Sequence, residues 1–250
     1  MKKRPWIIKS GGELLTQKNA RKQVVSDLIQ WHKRHSLIFV HGGGPQIEHI
    51  LKKNRIPVKF VHGRRVTTPQ AMILVEQVLS GLVNKSLAAD LNRNSVIAIG
   101  ISCRDGNLIV GTPLPGCGRA AKPKKINIKP LTFLIQNNIL AVVSSVASDA
   151  KGHAVNINAD EAASALAVAL KAERLIFLTN TNGVLDKEKK TIKILKLKNI
   201  PHLIEQEIIS GGMIPKVQSA QAAIKNGVTE VDIVNGFKGI QFEHGTRIMR

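Results

Sequence analysis

Short β-branched runs alternate with longer amphipathic stretches along the whole chain, and each run ends on glycine or a polar turn. Strand, turn and helix repeated in that order are the pattern of a sheet covered by helices, so the periodicity predicts an α/β sandwich. Strands are expected over residues 5–9, 37–40, 96–101, 139–144, 174–178 and 231–234, and helices over 19–32, 45–53, 69–91, 131–137, 160–170 and 217–225. Pro45 and Pro69 suit a first helical turn, where proline's missing N–H is no loss, and Thr67 or Thr68 can cap the second of these helices. Asn226-Gly227 reads as a helix stop. Two hairpins are expected, one turning at His62-Gly63 and one at Asp105-Gly106-Asn107. Residues 111–129, rich in Gly, Pro and Lys, read as an excursion over the surface, and 192–198 as an edge strand guarded by lysines.

An apolar fraction of 43% is enough to bury a core, so the net charge of +20 sits on a folded body. A field this positive raises nucleic-acid binding as one hypothesis. Against it, the basic residues are spread along the chain, and six Phe, two Trp and no Tyr supply no recognisable stacking platform. No apolar stretch approaches the roughly 18 residues of a membrane span. Cys103 and Cys117 suit neither a disulfide framework nor a zinc site, so a reducing cytoplasm is the expected location.

Chemistry concentrates where strands run into glycine. Val40 is followed by His41-Gly42-Gly43-Gly44-Pro45, and glycines there let backbone N–H groups turn toward an anion at a positive helix N-terminus. No P-loop pattern occurs, and Gly116-x-Gly118-x-x-Ala121, flanked by prolines, cannot open the helix a dinucleotide fingerprint requires. A second glycine pair follows the first strand in Lys9-Ser10-Gly11-Gly12. Lys9 ends an otherwise apolar strand, so its ammonium needs an anionic partner. Asn158 and Glu161 read as a capping box, which leaves Asn156 and Asp160 unexplained, and Asp160 is placed to hold lysines arriving from elsewhere. Ser210-Gly211-Gly212-Met213-Ile214-Pro215-Lys216 is a third glycine-plus-lysine element before a helix. Three such elements and two lysines fit one purpose, a site for a polyphosphate. His32 and His35 read as surface histidines, and no nucleophile with an adjacent base stands out.

In this order these motifs resemble the amino-acid kinase family, and within it the members that act on N-acetyl-L-glutamate in arginine biosynthesis. The matching signatures are Lys9-x-Gly11-Gly12, Val40-His41-Gly42-Gly43-Gly44, Gly63-x-Arg65-Val66-Thr67, Gly81-x-x-Asn84-Lys85, Asp105-Gly106, Asn156-Ile157-Asn158-Ala159-Asp160, Gly183-Val184-Leu185, Gly211-Gly212-Met213-Ile214-Pro215-Lys216 and Gly245-Thr246-Arg247-Ile248. The resemblance implies a three-layer αβα sandwich around a mainly parallel open sheet. It implies a lobe over residues 1–172 for the amino-acid substrate and dimerisation, and a lobe over 173–250 for ATP. The implied reaction moves the γ-phosphoryl group of MgATP to a side-chain carboxylate, with magnesium carried on the phosphates and no protein ligands of its own.

By the same resemblance Lys9 and Lys216 contact the phosphoryl group in flight and Asp160 orients them. Gly11, Gly43 and Gly44 supply backbone donors, Arg65 forks onto a substrate carboxylate and Asn156 holds the substrate's α-substituents. Gly11, Gly12, Thr179, Asn180, Gly183, Val184, Leu185, Gly211, Gly212, Met213 and Lys216 belong to the nucleotide pocket. Asn180 stands where the family usually has aspartate, Ala147 where glycine is expected and Ala141 where proline is common. A relative that phosphorylates glutamate or aminoadipate on an acidic carrier protein is the rival within the family, which the three glycine and asparagine motifs disfavour. Only eight residues precede Lys9, which predicts an arginine-insensitive homodimer with the long helix from Pro69 at its interface.

Overall fold

The computed structural model describes residues 4–61 and 64–250. Strand β1 (Trp6–Ser10) leads through a short helix α1 (Gly12–Thr16) to α2 (Lys18–His32), and β2 (Leu37–His41) leads to α3 (Gly44–Lys53). A small hairpin, β3 (Phe60–Val61) and β4 (Arg64–Arg65), precedes one long helix built of α4 (Pro69–Glu76), a π-helical stretch Gln77–Val83 and α5 (Asn84–Asn92). There follow β5 (Ala98–Ser102), β6 (Ile109–Pro113), β7 (Ala120–Ile126), α6 (Lys129–Gln136), β8 (Leu140–Ser144), β9 (Val146–Ser148), β10 (Ala154–Ile157) and α7 (Ala159–Ala169). The chain ends with β11 (Arg174–Thr179), β12 (Ile194–Lys196), α8 (Ile200–Glu205), α9 (Met213–Lys225), β13 (Glu230–Asn235) and β14 (Thr246–Met249).

Eight strands form one sheet in the order β12-β14-β13-β11-β1-β2-β8-β5, in which only the β13–β14 pair is antiparallel. Side chains alternate across each strand, so successive residues feed two separate cores. Ile7, Val40, Val143 and Phe177 join the core beneath α7 and α9, whereas Ile8, Phe39, Val142 and Ile176 join the core beneath α2, α3 and the long helix. This is the expected three-layer αβα sandwich. The same alternation puts Lys9, two residues after Ile7, on the α7 side of the sheet, and every residue of β1 is buried.

Several local expectations hold. Helix α4 is capped by Thr68, whose Oγ1 accepts from the Ala71 N–H at 3.1 Å, and β12 is a short edge strand with Lys196 exposed. The expected turn at His62-Gly63 lies outside the described residues, although β3 and β4 pair antiparallel on either side of it. Asp105-Gly106-Asn107 does turn, but β5 pairs with β8 in the main sheet while β6 joins a small closed barrel with β7, β10 and β9, so no hairpin forms. The stretch expected to wander over the surface instead supplies β6 and β7 of that barrel. Gly111 faces Pro123 where the register shifts, an irregularity that accommodates proline's missing N–H. His35 stacks on Trp6 at 3.8 Å instead of standing in solvent, within a cluster that also takes in Trp31 and Phe242.

Candidate active site

The C-terminal ends of β1 and β2 carry the first two glycine loops, and the loops touch. A side chain at Gly12 would lie 2.6 Å from the Gly43 Cα and 2.7 Å from the Gly44 N, so only glycine permits this approach. Gln46 ties the loops from α3, its Nε2 donating to the Gly12 carbonyl at 3.1 Å. Gly11 and Gly44, by contrast, have nothing within 4 Å of a notional Cβ and face a cleft of about 210 Å³. The cleft is closed by Lys9, Arg64, Arg65, Asn156 and Asp160.

Asp160 enters from α7. Asn158 caps that helix by accepting from the Asp160 N–H at 2.8 Å, and Glu161 turns away to pair with Arg64, so the reciprocal capping box does not form. Fully buried alanines at 162, 163 and 167 let α7 sit close on the sheet, opposite Lys9. The Lys9 Nζ lies 2.6 Å from Asp160 Oδ1, and the Lys216 Nζ, brought by the first turns of α9, lies 3.3 Å from Oδ2. Two cations thus share one carboxylate.

Burial alone would push the Asp160 carboxyl up, but the two ammonium groups and their hydrogen bonds reverse this and hold it below its ordinary value. Burial, aided by the nearby Lys216, holds the Lys9 ammonium below its ordinary value against the pull of Asp160. The trio carries two cations against one carboxylate, an imbalance that favours an anion beside it.

Across the cleft Arg65 is held by the Phe60 ring, 4.7 Å from its guanidinium carbon, and by the Gly44 carbonyl at 3.4 Å. Its Nη1 is buried and has no hydrogen-bond partner among the described residues. Burial lowers its pKa, with Glu48 opposing. Asn156, on β10, donates from Nδ2 to the Thr67 hydroxyl at 3.2 Å.

The structure therefore brings Lys9, Gly11, Gly12, Gly43, Gly44, Arg65, Asn156, Asp160 and Lys216 together. The remaining sequence-predicted residues lie beyond this cleft. Val184 is held by Thr246 of β14, whose hydroxyl accepts from the Val184 N–H at 2.8 Å; Gly183 packs so close to Thr246 that a Cβ there would lie 2.5 Å from its Oγ1, and Leu185 bridges to Thr191. Thr179 is buried at the end of β11, and Asn180 donates to Glu13 Oε2 at 3.1 Å, a bond that an aspartate at 180 could not donate. Gly211 has a left-handed φ of 52° and, with Gly212, precedes Met213, the first residue of α9.

Of the groups under the cradle, sequence reasoning left His41 free either to line the cradle or to pack beneath it and gave Asn84 no role. His41, fully buried at the end of β2, lies 3.1 Å from both the Gly42 carbonyl and Asn84 Nδ2, an arrangement satisfied by a neutral ring protonated on Nδ1. Asn84 Nδ2 also lies within hydrogen-bond distance of the Ile101 and Val142 carbonyls, its two hydrogens shared among these and His41, and so ties β5 and β8 to the long helix. The sequence signal for it was its place in Gly81-x-x-Asn84-Lys85.

Residues 4–235 match the model of the amino acid kinase family. The chain belongs to the amino acid kinase family. An acetylglutamate kinase of Endomicrobium trichonymphae is 41% identical over 244 residues, 98% of each chain, and that of Bacillus subtilis is 41% identical over 219 residues, 86% of this chain and 84% of its own. Among solved structures, smu.665 of Streptococcus mutans superposes with a TM-score of 0.87 at 29% identity over 98% of each chain. Carbamate kinase of Giardia lamblia, bound to AMP-PNP, gives 0.73 at 19% identity over 99% of each and shares the amino acid kinase fold.

Burial pushes the His41 ring down to about 4 from 6.5. A depressed histidine contributes stability above its unfolded pKa and loses it as pH falls toward the folded one, here about 3 kcal/mol in all. Denaturant unfolding at pH 7 and at pH 4.5 is expected to show a larger stability loss in the wild type than in His41→Asn; equal losses would remove His41 from the acid response.

Proposed function

We propose that the chain is an acetylglutamate kinase, moving the γ-phosphoryl group of MgATP to the side-chain carboxylate of N-acetyl-L-glutamate to give the acyl phosphate and ADP. The observation that carries the reading is the trio of buried Lys9, buried Asp160 and half-buried Lys216 beside a glycine-lined cleft whose far wall holds the Arg65 Nη1, which has no hydrogen-bond partner among the described residues. Relatives about 41% identical across nearly the whole chain carry that name.

The chemistry follows from charge. A carboxylate is ionised at neutral pH, so its oxygen attacks the γ-phosphorus without a general base. The new P–O bond forms as the bond to the β–γ bridging oxygen breaks, and ADP leaves with that electron pair. Charge on the equatorial and leaving oxygens is met by the two ammonium groups, and Asp160 keeps them in place before the nucleotide arrives. Gly11, Gly43 and Gly44 present N–H groups to the same oxygens. Arg65 takes the α-carboxylate and Asn156 the acetamido group. In this reading residues 1–172 hold the amino acid and 173–250 the nucleotide. Thr179, Asn180, Gly183 to Leu185 and Gly211 to Met213 border the nucleotide, and magnesium enters on its phosphates.

Homodimerisation is supported by apolar side chains left in the open: Ile73 and Leu82 on the long helix, Ile97 and Ile99 at the free edge of the sheet and Phe133 on α6, at 60%, 68%, 65%, 40% and 64% exposure. Light scattering is expected to give twice the chain mass and to fall to the monomer in Leu82→Glu with Ile97→Glu; a monomeric wild type would reject this assembly.

Hydroxylamine trapping tests the reaction. With MgATP, acyl hydroxamate is expected from N-acetyl-L-glutamate and, at far lower kcat/KM, from L-glutamate and N-acetylaminoadipate. Turnover of none of the three would set the proposal aside.

A further inference from the structure

Thr67 belongs to no role assigned so far, yet it lies between the two groups that hold the amino acid. It is fully buried, and a buried hydroxyl is costly unless paired. Its Oγ1 lies 3.0 Å from the Arg65 carbonyl and 3.2 Å from Asn156 Nδ2. A hydroxyl has one hydrogen, and the Arg65 carbonyl can only accept, so that hydrogen goes to Arg65. Thr67 must then accept from Asn156, which requires the NH₂ end of the amide. Asn156 lines the cleft, and its carbonyl oxygen Oδ1 is the end left for a ligand there.

The backbone around Thr67 leaves little freedom to change this. The Thr67 N–H donates to the Cys117 carbonyl at 3.1 Å, its carbonyl accepts from the Arg119 N–H at 2.6 Å, and the Arg119 carbonyl accepts from the Asn156 N–H at 2.8 Å. Gly118, at φ 63°, passes so close that a Cβ there would stand 2.3 Å from the Thr67 oxygen. Thr67, the turn between β6 and β7, and β10 are therefore one knitted unit.

We infer that the Thr67 hydroxyl is the positioning group that fixes the amide of Asn156 with Oδ1 toward the substrate, making the site a dedicated acceptor for an N–H on the substrate's α-carbon. The inference rests on the proposed function and adds to it the polarity of the contact. A site that presents a fixed acceptor discriminates against an analogue with no hydrogen to give, because the acceptor is then left buried and unpaired.

The probe is the ester isostere of the substrate, 2-acetoxyglutarate, in which oxygen replaces the amide N–H. The wild type is expected to turn over N-acetyl-L-glutamate with a kcat/KM roughly 10- to 100-fold above that of the ester. In Thr67→Val, which keeps the shape and removes the hydroxyl, the preference is expected to shrink to within about threefold, mostly through a raised KM for the amide. Thr67→Ser, which keeps the hydroxyl, is expected to restore it. If thermal unfolding finds Thr67→Val unfolded, Thr67→Ala takes its place on the same criterion. A merely structural role would lower both substrates in proportion and leave the ratio intact, and that result, or a wild type indifferent to the ester, would overturn the inference. Absence of turnover of N-acetyl-L-glutamate by the wild type would instead sink the proposed function.

Discussion

A carboxylate buried between two lysines is the constraint around which this molecule is arranged. Each charge would be costly alone in the sandwich interior, and the trio is tolerable because the opposite charges lie within 2.6 and 3.3 Å of each other. Its net positive charge also ties stability to function, because the same imbalance that strains the unliganded protein favours a phosphate. Removing Asp160 would leave two cations facing each other, whereas removing either lysine would leave a neutral pair with less to offer the phosphoryl group.

Three independent parts of the fold must meet for this trio to exist. Strand alternation puts Lys9 on the same side as Ile7, the small residues of α7 bring Asp160 down onto that face, and α9 packs against α7 so that Lys216 arrives from the other direction. Ser164 adds a hydrogen bond to the Ser219 carbonyl at 2.8 Å between those two helices. The contact between the glycine loops then fixes the distance from the trio to the cleft. Beneath them, neutral His41 and Asn84 hold the strand ends without adding a charge that would compete with the site.

What could be read from the chain was whatever depends on local period and local chemistry. Six strands of the main sheet, the major helices, the glycine loops and the need of Lys9 for an anionic partner all follow from neighbours in sequence. Strand β14 was overlooked because its partners β13 and β12 lie across a long connection and about fifty residues back in the chain, and its own alternation spans only four residues. The barrel strands β6 and β7 were taken for a surface excursion because Pro123 and the lysines of β7 look like loop, while the buried Ala120 and Ala121 that anchor them carry little signal. Glu161 looked like half of a capping box and instead pairs with Arg64, a partner 97 residues away that no local rule can supply. Thr67 looked like a helix cap, a task that its neighbour Thr68 performs. For Glu161 and Thr67 the misreading came from a partner distant in the chain, Arg64 and Asn156 respectively.

The central claim is that the braced lysines act on the phosphoryl group in transit and not on the resting substrate. Steady-state kinetics of Lys216→Ala tests it most directly, because the Lys216 side chain is partly exposed, at 17%, and its loss leaves Lys9 and Asp160 paired. The account predicts a kcat lowered by roughly 100-fold or more, with the KM for N-acetyl-L-glutamate changed by less than about threefold. A kcat near that of the wild type, with the loss confined to KM, would contradict it.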